Sequence, residues 1–175
     1  LSSSSPCFHF TNRVISAFLT AGGHDTSTFL PSFTLLSARP GLFLASLPIQ
    51  KHNLNRLGSA HGGFVCTLMD TCGSLALATK GMYSTGVSLD ISTTFAKAAG
   101  GEGDEILVRG EVVTMGRNLA MTRVEIRHPV SDALLAFGSH TKFIGKAIGH
   151  AENVEFDEEG EKVIKGKPME EWGKE

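Results

Sequence analysis

The sequence predicts an α+β fold, one long helix against an antiparallel sheet, on three observations. Residues 62–79 form one long apolar stretch closed by Lys80-Gly81, the pattern of a central helix with a C-terminal stop. Four strand-like runs follow, 86–98, 105–115, 119–127 and 133–143, with alternation clearest in Met121-Thr122-Arg123-Val124-Glu125-Ile126-Arg127. The breaks between them, Gly100-Gly101-Glu102-Gly103, Gly116-Arg117-Asn118 and residues 128–132, have hairpin length, so the sheet is expected to be antiparallel.

Taken in order, residues 12–20 (N-R-V-I-S-A-F-L-T) read as a short helix stopped by Gly22-Gly23. Residues 33–38 and 42–49 read as two strands joined by the turn tripeptide Arg39-Pro40-Gly41. With the four later runs this makes about six strands, and residues 51–60 between the second strand and the long helix read as a polar loop. The expected organisation is an N-terminal segment with a short helix (1–32), a central domain (33–145) and a charged C-terminal extension (146–175). That extension holds nine acidic and five basic residues, a net −4, against +2 for the rest of the chain. It reads as a solvated tail with a weak hairpin around Asp157-Glu158-Glu159-Gly160. Residues 1–10 are serine-rich and carry no acid, which reads as an unstructured terminus or the remnant of a targeting segment.

Composition excludes several classes of function. A chain of 175 residues with 41% hydrophobic content can bury a sizeable core as one domain. A net charge of −2 argues against general nucleic-acid binding. No run of about 18 apolar residues is present, so no transmembrane helix is expected. Cys66 and Cys72 lie on different faces of the predicted helix, and with Cys7 they form no C-x-x-C pair. A reducing intracellular compartment is expected, cytoplasmic or mitochondrial, with no metal site. His9, His24, His52, His128 and His150 show no metal-ligand spacing.

The informative segment is Asn55-Arg56-Leu57-Gly58-Ser59-Ala60-His61-Gly62-Gly63, which runs into the helix that carries Asp70. Bare glycine N–H groups at a helix start can hold a developing oxyanion. A lone carboxylate on an apolar helix either faces water or has a chemical task. The helical neighbours of Asp70 (Cys66, Thr67, Gly73 and Ser74) are small, whereas Phe64, Val65, Leu68, Met69, Cys72 and Leu75 form the opposite, apolar face. Gly62 and Asp70 are eight residues apart, roughly 12 Å along one helix. They can serve one reaction only if two such helices pack antiparallel, so that a two-fold dimer brings Asp70 of one chain to Gly62 of the other.

With these residues, Gly86-Val87-Ser88-Leu89-Asp90-Ile91 and His140-Thr141-Lys142, the chain from Phe33 to Gly145 resembles the hotdog-fold acyl-CoA thioesterases of the PaaI-like, thioesterase superfamily member 2-like branch. The resemblance implies a hotdog fold, hydrolysis of acyl-CoA to free acid and coenzyme A, and dimers that pair into tetramers. It implies Asp70 as general base or nucleophile and the Gly62 backbone N–H as the group that polarises the carbonyl. Asn55 and His61 would stand beside that carbonyl, and Ser88 would hold the attacking water. Gly63, Phe95 and Lys97, the turn Gly116-Arg117-Asn118, and Lys142 would contact the substrate or its nucleotide. No cofactor beyond the coenzyme A of the substrate is implied. Asp90 is expected to make a structural contact, and His140 to be structural before catalytic.

Three departures bear on the nucleotide end. Phe95-Ala96-Lys97-Ala98-Ala99 stands where relatives often carry a proline, Gly100-Gly101-Glu102-Gly103 lengthens the next turn, and Phe143 replaces a basic or imidazole side chain. The rival readings are a non-catalytic acyl-CoA-binding module and an enoyl-CoA hydratase. The retained Asp70 speaks against the first, and the lack of a D-x-N-P-x-H motif against the second.

Overall fold

The computed structural model describes residues 4–173. Ser5 caps helix α1 (Pro6–Ala21), accepting a hydrogen bond from the Phe8 N–H, with Pro6 in the first turn. The helix therefore starts six residues before the expected position. Cys7, Phe10, Thr11, Val14 and Ile15 are its buried stripe, so residues 6–10 are ordered core and not a loose terminus; residues 1–3 of that segment lie outside the described residues. A short helix α2 (His24–Thr28) leads to strands β1 (Thr34–Arg39) and β2 (Leu42–Pro48).

Helix α3 (Gly62–Ala78) is the expected central helix. Its apolar face is buried as read from the sequence, and its last two turns are buried on every side. Each of Phe64, Val65, Leu68, Met69 and Leu75 contributes about 1.5–3 kcal/mol on burial, which holds the helix on the sheet despite its glycines. Strands β3 (Val87–Phe95), β4 (Glu105–Met115), β5 (Leu119–Arg127) and β6 (Leu134–Phe143) follow, and all pairings are antiparallel.

The strand order is β1-β2-β4-β5-β6-β3, with α3 packed against β3 to β6. The Gly100-Gly101-Glu102-Gly103 segment is therefore no hairpin: it carries the chain from the β3 edge back to β2. It does so close to the start of α3, where Ala60 N–H donates to Gly100 O and Ile49 N–H to Asp104 O. Gly100 has φ +118°, and a Cβ there would sit 2.9 Å from the Asp104 carboxylate, so the glycine is a requirement of the crossing.

The C-terminal extension forms the expected hairpin, β7 (Glu155–Phe156) with β8 (Val163–Lys165), around a turn in which Asp157 Oδ1 accepts from the Glu161 and Lys162 N–H groups. The hairpin is docked, not solvated. Phe156 and Trp172 set their edges against Phe10, Cys7 N–H donates to Gly160 O, and Arg13 pairs with Glu152. Charge composition points to solvent, but two aromatic contacts and a buried Val154 outweigh it. Lys174 and Glu175 of the extension lie outside the described residues.

Candidate active site

Two features of α3 meet chemistry-bearing groups. At its start His61 is the N-cap: its Nδ1 accepts the Gly63 N–H at 2.8 Å. Among the described residues this leaves the Gly62 N–H as a helix-start donor with no acceptor. The Gly63 N–H is thus taken by the cap, and His61 holds the helix start through that bond and through its carbonyl, which accepts from Val65 N–H. Asn55 orders its own loop. Its Oδ1 accepts from Leu57 and Ser59 N–H, and its Nδ2 donates to Ser59 Oγ.

Two cavities flank the start of α3. One, of about 230 Å³, is walled by Gly62, Val65, Phe95, Lys97 and alanines 96, 98, 99 and 136. The structure thereby brings Phe95 and Lys97 beside Gly62. The other, of about 500 Å³, is lined by Gly63, Phe64, His24, His52, His61 and Thr67.

In the middle of the helix, Asp70 holds its side chain half exposed, at 50%. Its Oδ1 lies 3.4 Å from Ser88 Oγ and 3.6 Å from His140 Nε2. His140 is fully buried and fastened at both ring nitrogens, Nδ1 to the Asp70 carbonyl at 3.0 Å and Nε2 to Ser88 Oγ at 2.9 Å. This approach depends on Gly73: a Cβ there would stand 2.7 Å from His140 Nδ1. Ser88 reaches the cluster through a β-bulge between Ser88 and Asp90. Ile91 pairs with His140 and Ser88 with Lys142, both on the inner face, although they are an odd number of residues apart. Asp90 pairs with Thr141 on the outer face and is exposed, and among the described residues its carboxylate has no hydrogen-bond or ion-pair partner, so the structural contact expected of it is not seen there.

The proton positions follow from the acceptors. A carbonyl only accepts, so His140 Nδ1 carries the hydrogen that it donates to Asp70 O. Burial first, then the nearby Lys142 ammonium, push the imidazole pKa below its usual value, with the Asp70 and Asp90 carboxylates pulling partly back. In the neutral ring Nε2 accepts, and the single Ser88 hydroxyl proton goes to it at 2.9 Å in preference to Asp70 at 3.4 Å. The Asp70 carboxylate and a lone pair of Ser88 Oγ are then both free to accept.

His140 is the site residue that sequence reasoning places as structural; the structure puts it in contact with both Asp70 and Ser88. Lys142 requires the opposite correction. Its side chain is buried, with the residue 3% exposed, and its ammonium donates to Ser74 Oγ, so it is not placed to meet a phosphate. Lys97 and the turn Gly116-Arg117-Asn118 stand at opposite ends of β6, beside Leu135 and Ile144, about 30 Å apart. Within one chain they cannot hold one ligand group.

Comparison with known proteins shows the family of the chain. The Thioesterase superfamily model matches residues 57–132, which include Gly62, Asp70 and Ser88. A Schizosaccharomyces pombe protein carrying an esterase name is 38% identical over 152 residues, 87% of this chain and 93% of its own. Human acyl-coenzyme A thioesterase 13 is 33% identical over 116 residues, 66% of this chain and 82% of its own. The crystal structure of zebra fish thioesterase superfamily member 2 superposes with a TM-score of 0.71 at 29% identity, covering 81% of this chain and 99% of that one. A Streptococcus pneumoniae thioesterase protein solved with coenzyme A superposes at 0.62 with 28% identity, covering 67% and 88%.

Proposed function

The chain belongs to the thioesterase superfamily and has its hotdog fold, and from that premise we propose that it hydrolyses acyl-CoA thioesters to the free acid and coenzyme A. The observation that carries this reading is the Asp70–Ser88–His140 cluster, whose Asp70 lies on a helix with its first N–H, that of Gly62, open. The relatives' names and the coenzyme A-bound neighbour supply the substrate class.

In the proposed reaction a water donates one hydrogen to Asp70 and the other to Ser88 Oγ, which turns an oxygen lone pair toward the thioester carbon. Asp70 takes the proton as the C–O bond forms. The carbonyl oxygen becomes an oxyanion at the Gly62 N–H, where the helix dipole also favours negative charge. Collapse breaks the C–S bond, and the thiolate leaves with the proton returned through Asp70. A thioester is electrophilic enough for one base and one donor to suffice.

The two groups lie about 12 Å apart on one helix, so the reading requires two chains. Strand β3 supports it: this sheet edge is exposed at Val87, Leu89 and Phe95 and is paired on one side only. Two β3 edges meeting antiparallel about a two-fold axis carry Gly62, Phe95 and Lys97 of one copy toward Asp70, Ser88 and Arg117 of the other. The 30 Å gap between the two cationic ends then closes across the dimer, where both can face the coenzyme A phosphates.

Asp70→Asn should lower kcat by about 10³ or more, by analogy with loss of other general bases, without changing the oligomer. The measurement is thiol release from an acyl-CoA panel. Mixed oligomers of Asp70→Asn and Gly62→Pro chains should regain activity, because one composite site is then intact. Mixed oligomers that form and stay inactive would remove the two-chain site, and a nearly normal Asp70→Asn would remove the mechanism.

A further inference from the structure

Lys142 is a buried cation that the reaction above does not use. It lies on the inner face of β6 two residues from His140, about 7 Å away along the strand. Among the described residues its ammonium has no carboxylate at ion-pair distance; its partner is the neutral Ser74 hydroxyl. Burial pushes its pKa below the usual lysine value, and the carboxylates of Asp70 on α3 and Asp25 on α2 pull partly back toward the charged form; Asp25 itself accepts from the Thr71 hydroxyl at 2.5 Å. A buried charge held by one hydroxyl is expensive, and a methionine would fill the same space without that expense.

We propose that Lys142 is a positioning residue of the thioesterase site, a buried positive charge that joins the burial of His140 in keeping that ring neutral and so leaves the Asp70 carboxylate free to act as base. The argument rests on the reading of Asp70 given above. His140 has two possible proton arrangements. When it is neutral, the Ser88 proton points to Nε2, and Asp70 has no donor from the cluster. When it is protonated, Nε2 becomes a donor to Ser88, the Ser88 hydroxyl turns to Asp70, and an imidazolium stands 3.6 Å from Oδ1. The second arrangement neutralises the base and occupies the oxygen that should orient water. Asp70 and Asp90 both favour it, and Lys142 opposes them from the same sheet face. Burial of the imidazole is the first barrier to the second arrangement, and the cation adds to it, shifting the balance further toward a base that is available.

The test is the titration of His140 in the assembled protein, followed by NMR of 13C-labelled histidine, alongside kcat/KM against pH. Coulomb interaction at about 7 Å is large enough to move that titration by roughly one to two pH units. Lys142→Met should raise the His140 titration by that amount. Its kcat/KM relative to wild type should fall at acid pH, about tenfold for each pH unit by which the titration moves, and recover at alkaline pH. Ser74→Ala keeps the charge and should leave the His140 titration in place. Should Lys142→Met misfold, Lys142→Gln gives the same reading. An unmoved His140 titration overturns the proposal whatever the enzyme's activity, and so does a Ser74→Ala effect on the titration equal to that of Lys142→Met. A moved titration with an unchanged pH–rate profile overturns its link to Asp70. Failure of the general-base reading itself would show separately, as an active Asp70→Asn.

Discussion

The two edges of the six-stranded sheet are treated differently. At the β1 edge, Leu35, Ser37 and Ala38 are buried, and α1 packs against the strand with the C-terminal hairpin bracing α1 from outside. At the β3 edge, eight of nine residues are exposed, among them Leu89 at 59% and Phe95 at 55%. An open, apolar edge nine residues long is a liability in a monomer. The chain has used both of its terminal segments to close one side and left open the side that carries Ser88. On the function proposed above, that division would give stability to the first edge and assembly, with catalysis, to the second.

The largest expected effect breaks the comparison at β3. Leu89→Lys should dissociate the oligomer, seen by light scattering after gel filtration, and lower kcat/KM by about 10² or more because each site loses one half. An active monomer would remove the distinction. A smaller effect is expected at the other side. Trp172→Ala removes the edge contact to Phe10 and should lower Tm by several degrees, about 1–2 kcal/mol, with the oligomer and kcat unchanged. The smallest sharpens the contrast: Leu36→Lys, at an exposed β1 position, should change stability by less than about 0.5 kcal/mol and leave the assembly intact. Equal dissociation by Leu36→Lys and Leu89→Lys would mean that the two edges do not differ.

Much of this is legible in the residues, and what is not has physical reasons. The span of α3, the limits of β4 and β5, and the separation of Gly62 from Asp70 all follow from local periodicity and rise per residue. Strand order does not, because alternation says which face a residue takes and nothing about its neighbour; hence the crossing at Gly100 reads as a hairpin. The early start of α1 has a signal, Ser5-Pro6 ahead of a Cys7, Phe10, Val14 stripe, masked by the serine-rich composition around it. His140 and Lys142 have a weaker one. Alternation from Ala136 and Gly138, which pack inward, puts both on the same buried face, where two basic side chains would need a reason. What no local pattern contains is Gly73 opposite His140, a clearance visible only when helix and sheet are laid together.

The bulge at Ser88 has a consequence of phase. From Ile91 to Phe95 the strand counts inward residues on one parity, and at Ser88 it counts on the other. The number of residues between Ser88 and Ile91 is therefore itself a functional quantity. The same chain paired without the bulge would retain every chemical group of the site and still turn the hydroxyl away from His140. An inventory of side chains would class such a chain as intact, and only the counting would reveal it as a different device.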